Sequence, residues 1–133
     1  MNALLDQIKK DYPNLVFRKG RKFSFCPPKT ITIGPEEPHM EMILLHELGH
    51  ATLGHTDYPT HIYRLKMESE AWEKAKELAQ KYGVEYNEDL AQNELDTYRN
   101  WLHQKSSCPI CGLTRFQTPD FKYHCPGCEN FLN

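Results

Sequence analysis

His46-Glu47-Leu48-Gly49-His50 places two imidazoles and a carboxylate within five residues. On a helix, side chains four apart share a face one turn from each other. Both rings can then reach one Zn²⁺ at about 2.0–2.1 Å each. Glu47 stands beside the first ring and can approach a metal-held water without filling a coordination position. The chemistry expected of this pattern is hydrolysis of a peptide bond, with Glu47 as general base and then as proton carrier to the leaving amine. An H-E-x-x-H string is short enough to arise by chance, and its context decides. It follows Met42-Ile43-Leu44-Leu45, in the middle of a strongly apolar run. Imidazoles and a carboxylate on a largely buried helix need partners, and a metal supplies one. Gly49 permits close packing around the site.

A catalytic zinc needs a third protein ligand and an open position. An extended H-E-x-x-H-x-x-G-x-x-H pattern is excluded, because Leu53 and Thr56 occupy the places of its glycine and third histidine. His55 and His61 remain open as loop ligands. The better candidate is a carboxylate from the next helix, in Met67-Glu68-Ser69-Glu70-Ala71-Trp72. Glu68 and Glu70 lie about 200° apart around a helix and cannot both face the metal. Glu68 shares a face with Leu65, Ala71, Trp72, Ala75 and Ala79. Glu70 groups with Glu73, Lys74, Glu77 and Lys81, which predicts a surface salt bridge for it.

These residues carry a resemblance. His46-Glu47-Leu48-Gly49-His50-Ala51-x-Leu53-Gly54-His55, followed by Glu68-x-Glu70-Ala71-x-x-x-Ala75, resembles the ImmA/IrrE family of zinc metallopeptidases over about residues 25–82. The family's third ligand is a Glu three residues before a small residue, which maps onto Glu68 before Ala71. Trp72 stands where the family often has Asn or Asp. The resemblance also implies a small β-sheet ahead of the helix, with an edge strand that holds extended substrate. The segment Thr30-Ile31-Thr32-Ile33 takes that place. Family members often cleave transcriptional repressors, which implies a protein substrate, of repressor type. A second resemblance is to SprT-like proteases, which join H-E-x-x-H to a C-terminal zinc ribbon and act on DNA-bound protein, usually with a His as third ligand. A third reading has no catalysis: a metal-stabilised adaptor whose ribbon binds a partner. The intact Glu47 speaks against that one.

The cysteines divide from the histidines. Cys108-Pro109-Ile110-Cys111 and Cys125-Pro126-Gly127-Cys128 are two C-x-x-C knuckles with thirteen residues between them, somewhat closer than the about 15–20 of common zinc sites. They predict a structural Cys₄ zinc, so the chain would hold one catalytic and one structural Zn²⁺. Residues 113–124 would form a hairpin turning at Pro119-Asp120. Without metal, about 25 such residues should not fold. Arg115 and Lys122 are balanced by Asp120 and Glu129, so nucleic-acid binding has no support in charge. Phe116, Phe121, Tyr123 and Phe131 suit a small core or a docking face. Cys26 reads as a buried small hydrophobe.

The elements that must position these groups are legible in outline. Leu4, Leu5 and Ile8 predict a short helix over 3–10. Residues 15–17 and 23–25 flank the basic turn Arg18–Lys22 and predict a hairpin. Thr30–Ile33 predicts a third strand. A helix opening at Glu36-Glu37-Pro38 would carry the H-E-x-x-H pentapeptide to about Gly54. Further helices are predicted over 62–82, with Gly83 as cap, and from Asn87 or Glu88 to about 104. The fold class is α+β: a zincin-like domain over 1–105 with a small antiparallel sheet, then a ribbon over 106–133.

The chain has 133 residues, 7 His and 5 Cys, and a net charge of −2. Its first 35 residues hold seven basic and two acidic side chains, while residues 36–60 hold five acids and no Lys or Arg. The basic excess (Arg18, Lys19, Arg21, Lys22, Lys29) reads as a solvated rim. No apolar run approaches the about 20 residues that cross a bilayer, and Met1–Asp6 lacks a secretory layout. A cytoplasmic chain without a membrane partner is expected, and its thiols stay reduced there.

Overall fold

The computed structural model describes residues 1–128, so Glu129 and Phe131 lie outside the described residues. The fold is α+β. The chain divides into two compact units, one of residues 1–56 and 67–89, the other of 57–66 and 90 onward.

The first unit begins with α1 (Asn2–Asp11), which buries Leu4 and Ile8. Three strands follow: β1 (Val16–Lys19), β2 (Ser24–Cys26) and β3 (Thr30–Ile33). Their spatial order is β1-β3-β2. β1 runs parallel to β3, with Val16 beside Thr30 and Lys19 beside Ile33. β2 runs antiparallel to β3, with Ser24 beside Thr32 and Cys26 beside Thr30. The expected β1–β2 hairpin is therefore corrected. The β-branched, apolar strand takes the centre, with Ile31 and Thr32 buried, and the basic and Cys-Pro-bearing segments become edges. Residues 20–23 bridge two strand spacings, about 10 Å, by crossing the end of β3. Two glycines allow that crossing. A Cβ on Gly20 would collide with the Thr32 methyl, and one on Gly34 would lie 2.7 Å from the Phe23 backbone nitrogen. Gly20 thus marks a crossover rather than a hairpin turn.

The basic rim Arg18, Lys19, Arg21, Lys22 and Lys29 is exposed, as expected. Cys26, expected inside, is exposed at the end of β2, because an edge strand running into Pro27-Pro28 has nothing packed over that position.

Helix α2 spans Met40–Thr52. Glu36-Glu37-Pro38 precede it rather than open it, because His39 adopts a left-handed conformation (φ 65°) at the helix boundary. Met42, Leu44, Leu45 and Leu48 are almost wholly buried, so this helix is core on most of its circumference. α3 (His61–Tyr82) buries Met67, Ala71, Trp72, Ala75, Leu78 and Ala79. It ends as expected at Gly83 (φ +67°), where the Val84 N–H donates back to the Ala79 carbonyl at 2.9 Å.

The two helices meet at Gly49 and Ala71. A Cβ on Gly49 would stand 2.6 Å from the Ala71 carbonyl oxygen, which is backbone and cannot rotate aside. Gly49 is thus the residue that lets α3 bring its acids to α2.

In the second unit, α4 (Glu88–Ser106) buries Ala91 and Leu95. β4 (Phe116–Gln117) pairs antiparallel with β5 (Tyr123–His124), the hairpin expected between the knuckles. Arg64 lies over the rings of Tyr58, Tyr98 and Trp101, between 5.1 and 5.6 Å from their centroids. Among the described residues no helix is long and apolar enough to cross a membrane.

Gly49→Ala is expected to destabilise the first unit by about 1–3 kcal/mol through overpacking. Urea unfolding followed by Trp72 fluorescence measures it, and an unchanged midpoint would show that the helices can part freely.

Candidate metal centres

Among the described residues, two groups of side chains could hold metal ions: His46, His50 and Glu68 in the first unit, and the four ribbon cysteines in the second. In the first group the donor atoms all lie within 4.8 Å of one another. Glu68 Oε2 is 2.6 Å from His50 Nε2, and Glu68 Oε1 is 3.6 Å from His46 Nε2. Donors at tetrahedral angles with bonds of about 2.0–2.2 Å stand about 3.3–3.6 Å apart, a spacing these distances bracket.

Burial sharpens the fit. His50 and Glu68 are each 8% exposed in a core of Leu and Ala. His46 Nε2 is buried with no hydrogen-bond partner. A buried ring nitrogen without a partner costs free energy unless something else satisfies it. A cation between His46, His50 and Glu68 does so for all three at once.

Neighbouring rings fix the ligands. His46 stacks on Trp72, with centroids 4.1 Å apart and planes 4° from parallel. His50 faces Phe25 of β2 at 6.5 Å and 3°. Burial, against the opposing pull of Glu68, lowers the His46 pKa to about 3, which keeps its ring neutral and its lone pair free. Burial likewise raises Glu47 to about 7, with His50 acting against the shift and Glu68 adding to it. Glu47 is 7% exposed and its Oε1 is 3.9 Å from His46 Nδ1. It lies beside the ligand group and is not part of it.

Of the open loop candidates, neither His55 nor His61 joins the ligand group. His55 packs behind His50, with their Nδ1 atoms 2.9 Å apart. Its Nε2 is 3.2 Å from Glu70 Oε1. Glu70 is about half exposed, and its pairing partner is His55, while Lys74 pairs with Glu77. Gly54, left-handed at φ +67°, ends α2 and folds the chain back, so that the His55 N–H donates to the His50 carbonyl at 3.0 Å. His61 belongs to the second unit. Its backbone N–H donates to Gln117 Oε1 at 2.7 Å, and its Nδ1 lies 2.9 Å from the Tyr123 hydroxyl. Trp101 and Phe121 pack on its ring at 4.6 and 5.1 Å.

The segment Thr30–Ile33 does not offer a free edge. It is the central strand, hydrogen-bonded on both sides, so an extended chain cannot add to it. The expectation that these four residues form an edge strand is corrected for that reason. The strand beside α2 with an unpaired outer edge, among the described residues, is β2.

The ribbon cysteines converge from both knuckles. Cys108 Sγ is 3.7 Å from Cys128 Sγ, and Cys111 Sγ is 3.4 Å from Cys125 Sγ. Thiolates around one tetrahedral zinc stand about 3.8 Å apart. Backbone N–H groups point at the sulfurs: Ile110 to Cys108 at 3.4 Å and Cys128 to Cys125 at 3.3 Å. Backbone hydrogen bonds lower the Cys108 thiol to about 6, whereas hydrogen bonds with the neighbouring thiols push Cys128 up to about 12. Four thiols so close cannot all ionise without a cation among them. Phe121 and Tyr123 turn toward His61, while Phe116 stacks on His124 at 5.3 Å.

Fold and site together define an α+β protein with two separate groups of side chains, among the described residues, that could hold metal ions. Comparison with protein-family models, curated proteins and solved structures finds no match to this chain.

The purified chain is expected to take up two equivalents of metal. Cys108→Ser with Cys125→Ser should leave one, and a chelator should abolish the β4–β5 pairing. Elemental analysis and amide hydrogen exchange over residues 107–128 measure both. Two equivalents retained in the double variant would remove the Cys₄ assignment.

Proposed function

We propose that this chain is a zinc-dependent endopeptidase in which His46, His50 and Glu68 hold the metal and Glu47 is the general base. The observation that carries the reading is the position of Glu47. It is buried beside the ligand group, it fills no ligand position, and its carboxyl is raised to about 7. An acid–base group is most useful when its pKa lies near the working pH. A structural metal site has no need of such a neighbour.

When bound, zinc supplies a Lewis acid that acidifies water and polarises a carbonyl. The chain supplies the rest. Glu47 takes a proton from the attacking water and returns it to the leaving amine. Trp72 and Phe25, lying against His46 and His50, hold the rings in place. The Cys₄ group takes a second, structural zinc, whose closed thiolate set leaves no position for substrate.

A protein substrate in extended form is supported by the open outer edge of Ser24–Cys26, because main-chain pairing with a strand edge recognises backbone whatever the side chains. Phe25 on that strand packs on His50, so a chain lying along β2 runs close to the ligands. The resemblance to ImmA/IrrE peptidases supports the same activity, a cytoplasmic setting and a repressor-type substrate. A Glu as third donor, with His55 and His61 outside the ligand group, favours that family over the SprT-like pattern. On the ribbon, Ile110, Leu113 and Phe116 are 84%, 50% and 54% exposed, a surface suited to protein contact rather than to phosphate.

Glu47→Gln tests the mechanism. The variant should keep both zinc equivalents and lose cleavage of unstructured peptides by about 10²–10⁴-fold, read by mass spectrometry of the products. Cleavage at the wild-type rate would overturn the role of Glu47.

A further inference from the structure

Behind His50 lies a chain of groups that neither coordination nor the general base accounts for. His50 Nδ1 faces His55 Nδ1 at 2.9 Å, and His55 Nε2 faces Glu70 Oε1 at 3.2 Å. The His55 side chain is 10% exposed and that of Glu70 46%, so the chain runs from the buried ligand to the surface. Two facing imidazole nitrogens share one hydrogen when both rings are neutral. A carboxylate accepts and cannot donate, so Glu70 requires the hydrogen of His55 on Nε2. His55 Nδ1 is then an acceptor, and the hydrogen of His50 must sit on Nδ1. That leaves the lone pair of His50 Nε2 directed at Glu68, 2.6 Å away.

We propose that His55 and Glu70 are positioning residues that lock the His50 ring and its tautomer so that Nε2 is the metal-binding nitrogen. This rests on the reading of His46, His50 and Glu68 as a metal site. Metal-ligating histidines characteristically donate their second ring N–H to an outer partner, and loss of such partners costs about 10–100-fold in metal affinity. Here the partner is a second imidazole, itself polarised by a carboxylate. The turn at Gly54 delivers His55, and α3 delivers both Glu68 and Glu70. Glu68 and Glu70, two residues apart on one helix, thereby act on the two nitrogens of the same ring, Glu68 directly and Glu70 through His55.

Cobalt(II) affinity of the full chain tests this, with chelator competition and the weak d–d bands of a nitrogen–oxygen site resolved from the intense thiolate bands of the ribbon. Glu70→Gln should weaken cobalt binding at the nitrogen–oxygen site by about 10-fold, and His55→Phe by up to about 100-fold. His55→Asn, whose amide oxygen can still accept from His50 Nδ1, should recover part of that loss. In the His55→Phe background, Glu70→Gln should have no further effect. The ribbon bands should stay unchanged in every variant, and far-UV circular dichroism at the wild-type level reports that the helices of the first unit are folded. Equal losses from Glu70→Gln with and without His55 would mean that Glu70 acts as a distant charge, and would overturn the chain of contacts. Wild-type affinity in both single variants would overturn the inference while leaving the metal site intact. Failure of the wild-type chain to show any nitrogen–oxygen cobalt band would overturn the metal site itself and this inference with it.

Discussion

The approach of two backbones at Gly49 and Ala71 governs the geometry of the first unit. Glu has a short reach, and a carboxylate can stand 2.6 Å from His50 Nε2 only if the helix that bears it lies almost in contact with the helix that bears the histidine. With no side chain at 49, the limit on approach is the Ala71 carbonyl oxygen itself. Small residues at 71, 75 and 79, all buried, continue that face of α3. Large ones at Met42, Leu44, Leu45 and Leu48 fill the space on the other sides of α2. The apolar mass closes off water, and the glycine fixes the distance. Each of the polar groups inside then has to find its partner from the opposite helix or from a shared cation.

That division explains what could be read from sequence. Periodicity separates Glu68 from Glu70 because the two helical faces differ in composition, and the structure brings Glu68 to His46 and His50 as that argument expects. C-x-x-C spacing brings the four thiols together for a similar reason, since each knuckle is a local turn with little freedom. Strand order is different in kind. The turn at Gly20 is equally compatible with a hairpin and with a crossing over β3, and only the competition of three strands for the central place decides it. Thr30–Ile33 wins because both of its neighbours are poor candidates for the interior, one rich in Arg and Lys and the other ending in Pro27-Pro28. The open edge beside α2 therefore moves from β3 to β2. His55 and Glu70 were hidden for another reason. They are fifteen residues apart and joined through a loop, and each taken alone has an ordinary surface explanation.

The two metal groups solve the same problem with different materials. In the ribbon, donors and structure are nearly one thing: four sulfurs and the backbone N–H groups aimed at them hold a segment with little apolar content. The aromatic rings of Trp101, Phe121 and Tyr123 gather around His61, so the histidine that begins α3 takes part in packing and hydrogen bonding and stands outside both donor groups. In the first unit the three donors sit in a core already supplied with apolar side chains, Met42, Leu44, Leu45, Leu48, Ala71 and Ala75 among them. A closed thiolate set suits a structural ion, and an open His–His–Glu set suits a reactive one.

Charge completes the argument. The segment 36–60 carries five acids and no Lys or Arg, and α3 adds Glu68 and Glu70 to the same region. Glu47, Glu68 and Glu70 each face an imidazole, at 3.9, 2.6 and 3.2 Å. Imidazole is a weak counter-charge at neutral pH, and burial weakens it further at His46. A Lys or Arg in that place would neutralise the carboxylates permanently and would repel a divalent cation. Histidines leave the negative charge available to a cation, and they offer it nitrogen donors as well. The raised carboxyl of Glu47 follows from the same arrangement. Burial acts first, His50 pulls against it, and the charge of Glu68 adds to the rise.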